Sequence, residues 1–143
     1  MTSHLLAFLL SASAVGSALA QQTTLEVDLT GIQHANGAVR VGLYQDAKTF
    51  RKEAQAVAVQ QVAATAGTVT VSFGALPPGR YAIMAYHDED GNGELNRRFG
   101  MFPTEGYGLS NNPTVSGPPA FEDSAFDVPS GAGAARISID IRY

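Results

Sequence analysis

Apolar and polar residues alternate with a period of two along much of the chain. Leu25, Val27 and Leu29 alternate with Glu26, Asp28 and Thr30. Val39, Val41 and Leu43 alternate with Arg40, Gly42 and Tyr44, and Val69, Val71 and Phe73 with Thr70 and Ser72. Ile137, Ile139 and Ile141 alternate with Ser138, Asp140 and Arg142. Each pattern predicts an antiparallel strand buried on one face. Gln55 to Val62 is a weaker strand segment, and Ser124 to Val128 a short one. Tyr81 to Tyr86 is apolar on both faces and belongs in the middle of a sheet. Pro78 and Gly79 suit a type II turn, with positive φ at the glycine. Ser130-Gly131-Ala132-Gly133 joins the last two strands. Asp46 reads as the N-cap of a short helix, Ala47 to Glu53, with Phe50 as its buried contact. The sum is an all-β, seven-stranded antiparallel sandwich, immunoglobulin-like or transthyretin-like, with one short helix.

Residues 1–20 stand outside this pattern. Leu5 to Leu10 is an apolar run, and Ala18-Leu19-Ala20 is an A-x-A cleavage signature. The run is too short for a membrane span of ~20 apolar residues. A signal peptide over 1–20 and a single domain over 21–143 follow, with export to the periplasm or the extracellular space. No transmembrane segment remains after cleavage. The 143 residues contain no cysteine, which excludes disulfides, Fe–S clusters and thiolate zinc sites. The net charge of -4 argues against a nucleic-acid partner. An envelope component or another protein fits better.

Asp88 to Glu122 has no alternation. It holds Gly91, Gly93, Gly100, Gly106, Gly108 and Gly117, and Pro103, Pro113, Pro118 and Pro119. Phe99, Met101, Phe102, Tyr107 and Leu109 make it too apolar for disorder, so it reads as a long ordered loop region. Its opening, Asp88-Glu89-Asp90-Gly91-Asn92-Gly93-Glu94-Leu95-Asn96, matches most of a D-x-[DN]-x-[DN]-G calcium loop. Calcium takes about 6–8 oxygens, and alternate residues of a tight loop can point inward together. Asp88, Asp90 and Asn92 would give side-chain oxygens, Glu94 its backbone carbonyl, and Asn96 a ligand through water. The twelfth position, where a bidentate carboxylate belongs, is Phe99. Glu105, Glu122 and Asp123 are candidates to replace it. The alternative is a solvated turn built from ordinary turn residues.

Other chemistry is sparse. His34 and His87 would suit a two-histidine metal site, or His87 is a hydrogen-bonded structural residue at a strand end. Ser110 lacks the glycine and the strand–helix context of a nucleophile elbow. No phosphate-binding loop or dinucleotide fingerprint occurs. Arg97-Arg98 is expected to pair with the neighbouring acids. A small hydrolase acting on an envelope polymer, through Glu105 with Glu122 or Asp123, is a second reading. It requires carboxylates roughly 5–9.5 Å apart. The alternating C-terminus also suits an outer-membrane barrel, but its strands are shorter than the 9–11 residues required.

Leu76-Pro77-Pro78-Gly79-Arg80-Tyr81-Ala82, His87 to Asn96, Glu105 to Asn112 and Gly117 to Asp123 form an ordered series. With it the chain resembles a family of small exported bacterial proteins known as domain of unknown function 2141. The likeness runs from about Leu25 to Tyr143. It implies export and a β-sandwich-like domain and no known activity, so a non-enzymatic binding or envelope-associated module is the leading expectation. It also suggests that the acidic loop, the Glu105–Asn112 segment and the Pro118–Asp123 segment meet at one end of the sandwich.

Overall fold

The computed structural model describes residues 22–131 and 133–143. The expected signal peptide lies outside the described residues. Ten strands and one short helix follow in order: β1 (Thr23–Ile32), β2 (Ala38–Tyr44), β3 (Ala58–Ala63), β4 (Gly67–Leu76), β5 (Gly79–Asp88), β6 (Arg97–Arg98), β7 (Phe102–Pro103), β8 (Tyr107–Leu109), α1 (Phe121–Ser124), β9 (Phe126–Val128) and β10 (Gly133–Asp140). Each strand expected from alternation has a counterpart here. The additional ones, β6 to β8, are short and lie within the long connection.

One sheet has the order β10-β1-β4. The other has the order β3-β2-β5-β8, with β9 also paired to β5. No barrel forms among the described residues. Leu25, Val27 and Leu29 of β1 pack with Val39, Val41, Leu43, Tyr81, Ile83 and Ala85 of the facing sheet. Most are fully buried, and each large apolar side chain so buried contributes about 1.5–3 kcal/mol.

β5 also buries its other face. Ala82, Met84 and Tyr86 join Tyr44, Phe50, Leu95, Leu109 and Phe121 in a second apolar cluster beneath the long connection. This is why Tyr81 to Tyr86 is apolar throughout. Because the two faces alternate, His87 continues the sandwich-facing side of β5 and Asp88 the loop-facing side.

The structure corrects the sequence reading in several places. β1 and β10 run parallel, Thr23 opposite Gly133 through Thr30 opposite Asp140. Alternation reports which face is buried and not strand direction. Ala47 to Glu53 is not a helix. The Asp46 carbonyl accepts the Thr49 and Phe50 amides in a turn, Arg51 takes a positive φ of 68°, and a single 3-10 turn follows at Glu53–Gln55. Phe50 is nevertheless buried, edge-on to Tyr44 and Phe121. Near the end of β4 the positive φ falls at Ala75, and Gly79 has none. The two prolines hold their predecessors extended, and the register slip against β1 lies between Phe73 and Leu76.

Gly108 lets β8 approach the end of β10. A Cβ there would stand 2.4 Å from the Asp140 carbonyl oxygen. Tyr107 and Arg142 exchange backbone hydrogen bonds at 3.0 and 2.9 Å beside it.

Candidate functional site

β5 ends on Asp88, and the chain then folds back on that carboxylate. Asp88 Oδ1 accepts the Asn92 amide at 3.1 Å and Oδ2 the Gly93 amide at 2.8 Å. Asp90 Oδ1 accepts the Asn92 amide at 3.2 Å, and Asn92 Oδ1 accepts the Glu94 amide at 3.0 Å. These are the local side-chain turns that Asp and Asn favour. Tyr86 anchors the loop from below: its hydroxyl is 3.0 Å from the Gly93 carbonyl and 2.8 Å from the Glu53 carboxylate. Burial first, and the Glu53 carboxylate second, raise the Tyr86 phenol above its ordinary range.

Glu105 enters from the segment leading into β8. The His87 amide donates to the Gly106 carbonyl at 2.8 Å and fixes that approach. Glu105 is buried, at 5% exposure. Its Oε1 accepts the Glu89 amide and its Oε2 the Asn96 amide, each at 3.0 Å. One oxygen each of Asp88, Asp90 and Glu105 lies within 4.8 Å of the others. Asp88 is buried as well, at 3% exposure. None of the three carboxylates has an ion-pair partner among the described residues. Asn96 bridges the group: its Nδ2 donates to Asp90 Oδ2 at 2.8 Å, and its Oδ1 accepts from Asn92 Nδ2 at 2.6 Å. The Asn96 contact, ahead of the other causes, holds the Asp90 carboxyl below its usual value.

The candidate metal ligands therefore divide. Asp88, Asp90 and Glu105 come together, with Asn92 and Asn96 hydrogen-bonded at their rim. Glu94, expected to offer its backbone carbonyl, is exposed, and its side chain belongs to neither close-set carboxylate or histidine group of the region. A carboxylate accepts along about four lone-pair directions, so the amides leave Asp88 and Glu105 with capacity for a cation. Phe99, at the position of the missing twelfth ligand, is 84% exposed.

The Pro118–Asp123 segment does not meet this site. Glu122 pairs with Arg80 at 2.6 Å, near the start of β5. Arg80 and Asp88 lie eight residues apart on one strand, roughly 26 Å at ~3.3 Å per residue. The segment from Glu105 to Asn111 runs beside β5 for most of that length, with Tyr107 opposite Tyr86 and Leu109 opposite Met84. Its far end is held by Ser110, whose Oγ accepts the Ile83 amide at 2.9 Å, and by Asn111 Nδ2 donating to the Ala125 carbonyl at 2.8 Å. Glu105 and Glu122 thus flank opposite ends of β5 and do not face each other across a cleft. Ser110 is fully buried and structural.

A second group occupies the other side of the strand end. His34, His87 and Glu89 offer ligand atoms within 4.8 Å of one another. The His34 and His87 rings are 4.6 Å apart. His34 Nδ1 accepts the Asn36 amide at 3.2 Å, leaving Nε2–H to donate to Glu89. His87 is fully buried and donates Nε2–H to the Asn36 carbonyl at 2.6 Å. Its Nδ1 accepts the Tyr143 hydroxyl at 2.6 Å, and that oxygen accepts the Gln33 amide. Both nitrogens of His87 are engaged, which fits the structural reading. Sequence reasoning missed the Glu89 and Tyr143 contacts, because their partners lie more than fifty residues away. Arg97 and Arg98 form no ion pair among the described residues, contrary to expectation.

Residues 27–136 match the family described as "Uncharacterized protein conserved in bacteria (DUF2141)". No curated protein and no solved structure matches the chain.

Proposed function

The chain belongs to the DUF2141 family of uncharacterized bacterial proteins, and from that premise we propose that it is an exported, non-enzymatic β-sandwich module that binds calcium at the end of β5. The observation that carries this reading is Glu105. It is a buried carboxylate within 4.8 Å of Asp88 and Asp90, in a group with no basic partner among the described residues. Asp88 and Glu105 are buried while Asp90 stands exposed at the rim, and like charges held close in a buried site repel unless a cation joins them. The oxygen-only donor set suits a hard cation better than a transition metal. Asp88, Asp90 and Glu105 would be direct ligands, and Asn92, Asn96 and the Glu94 carbonyl supplementary ones. Export rests on the apolar leader and the Ala18-Leu19-Ala20 signature.

The test is a calcium titration of the purified protein followed by melting temperature and metal analysis, with Asp88→Ala and Asp90→Ala beside the parent. A rise with calcium that both variants lose is expected. No shift at millimolar calcium overturns the reading.

A further inference from the structure

β6 and β7 form a two-stranded ribbon, Arg97 opposite Pro103 and Arg98 opposite Phe102. Its turn is closed by the Met101 amide on the Arg98 carbonyl at 3.2 Å. Both central residues have positive φ, 55° at Phe99 and 68° at Gly100. Hairpin turns of that kind favour Asn-Gly. A phenylalanine at the first position is held in a conformation costly to an L-residue and recovers no burial. Phe99 is 84% exposed, Met101 68% and Phe102 60%. Three large apolar side chains are thus displayed together on a tip that the fold does not need to bury. Arg97 and Arg98 stand directly behind them, exposed and without an ion pair among the described residues. Arg97 also lines an open cleft of about 350 Å³ in which Arg51 is balanced by Glu53 and Glu94, so the unpaired positive charge is confined to the ribbon.

We propose that this ribbon docks into the interface of an anionic phospholipid bilayer. Phe99, Met101 and Phe102 would enter the acyl boundary while Arg97 and Arg98 meet lipid phosphates. A narrow convex tip suits a bilayer better than a protein. A specific protein interface needs on the order of 1,000 Å² of complementary surface, which a ribbon of this size does not present. A bilayer accepts an isolated apolar wedge, and flanking arginines reach the headgroups. The root of the ribbon is tied to the acidic loop by the Thr104 amide on the Asn96 carbonyl at 2.9 Å. The docking itself does not rest on the calcium reading.

The experiment is co-sedimentation of the purified protein with phosphatidylglycerol/phosphatidylcholine vesicles and with pure phosphatidylcholine vesicles, in calcium and in chelator. The protein is expected to sediment with the anionic vesicles and to be released by salt. Phe99→Asn installs the preferred turn residue, so the melting temperature holds or rises while vesicle binding weakens about tenfold or more. Arg97→Ser and Arg98→Ser each weaken binding about fivefold. Absence of sedimentation in both calcium and chelator overturns the proposal, as does a Phe99→Asn variant that binds like the parent. Self-association abolished by Phe99→Asn, without vesicle binding, also overturns it and makes the tip a protein contact.

Discussion

Glu105 Oε2 accepts the backbone amide of Asn96 at 3.0 Å, pinning the acidic loop from outside its own sequence. The other oxygen of the same carboxylate holds the Glu89 amide. Glu105→Ala strips both amides of their acceptor and is expected to cost about 2 kcal/mol in chemical denaturation. Glu105→Gln keeps one acceptor and costs less. Both abolish the response to calcium. In the parent, calcium at a hundred times its dissociation constant adds about 2.7 kcal/mol, a rise in melting temperature of roughly 10 °C for a domain of this size.

Tyr44 sets an alkaline limit. Burial first, and the Glu53 carboxylate second, push its phenol up to about 12 from 10.0. Below pH 10 the phenol is neutral in both folded and unfolded chains, and the contribution is fully present. Between pH 10 and about 12 only the unfolded chain ionises, so stability falls as pH rises. Tyr44→Phe is expected to flatten this limb of a denaturation-midpoint profile.

The acid limb has the opposite sign. Arg136 first, then Thr70, hold the Asp28 carboxyl below its ordinary 3.8 by hydrogen bonds. The stabilisation is present above that value and is lost as pH falls through the lower folded one. Asp28→Asn should make the midpoint less dependent on pH below about 4. The pair lies at the surface, with its Arg136 partner exposed, so the effect is small and shrinks further in salt.

Gly108→Ala places a methyl group 2.4 Å from a backbone carbonyl oxygen and 2.7 Å from Ile139 Cγ2. Neither β8 nor β10 can yield without losing register. A loss of about 3 kcal/mol is expected in urea unfolding. Gly117→Ala, which would meet nothing within 4 Å, is the neutral control.

The long strands were legible because one-sided burial writes itself as alternation. Tyr81 to Tyr86 revealed a layer on each face of β5 for the same reason. The parallel pairing of β1 with β10 was not legible, since facing and direction are independent. The expected helix at Ala47 failed because Arg51 reverses the backbone after one turn. Glu105 could be nominated from an incomplete ligand set. Separating it from Glu122 required the length of β5, which no local pattern carries. The ribbon at Arg97 to Pro103 is too short to show a period, and its exposed aromatics resemble core residues until the fold turns them outward.

The pairing of β1 with β10 also governs the order in which the chain can become native. Their partners lie 110 residues apart, from Thr23 with Gly133 to Thr30 with Asp140. One of the two hydrogen-bonding edges of β1 therefore waits for a strand made about a hundred residues later. Contacts this distant carry a large loop-closure cost and slow folding. Until Ile139 and Ile141 arrive, Leu25, Val27 and Leu29 border an open strand edge of the kind that recruits other chains. Docking of β10 thus closes one edge of β1, and a chain cut before Gly133 would leave that edge open as a template for aggregation.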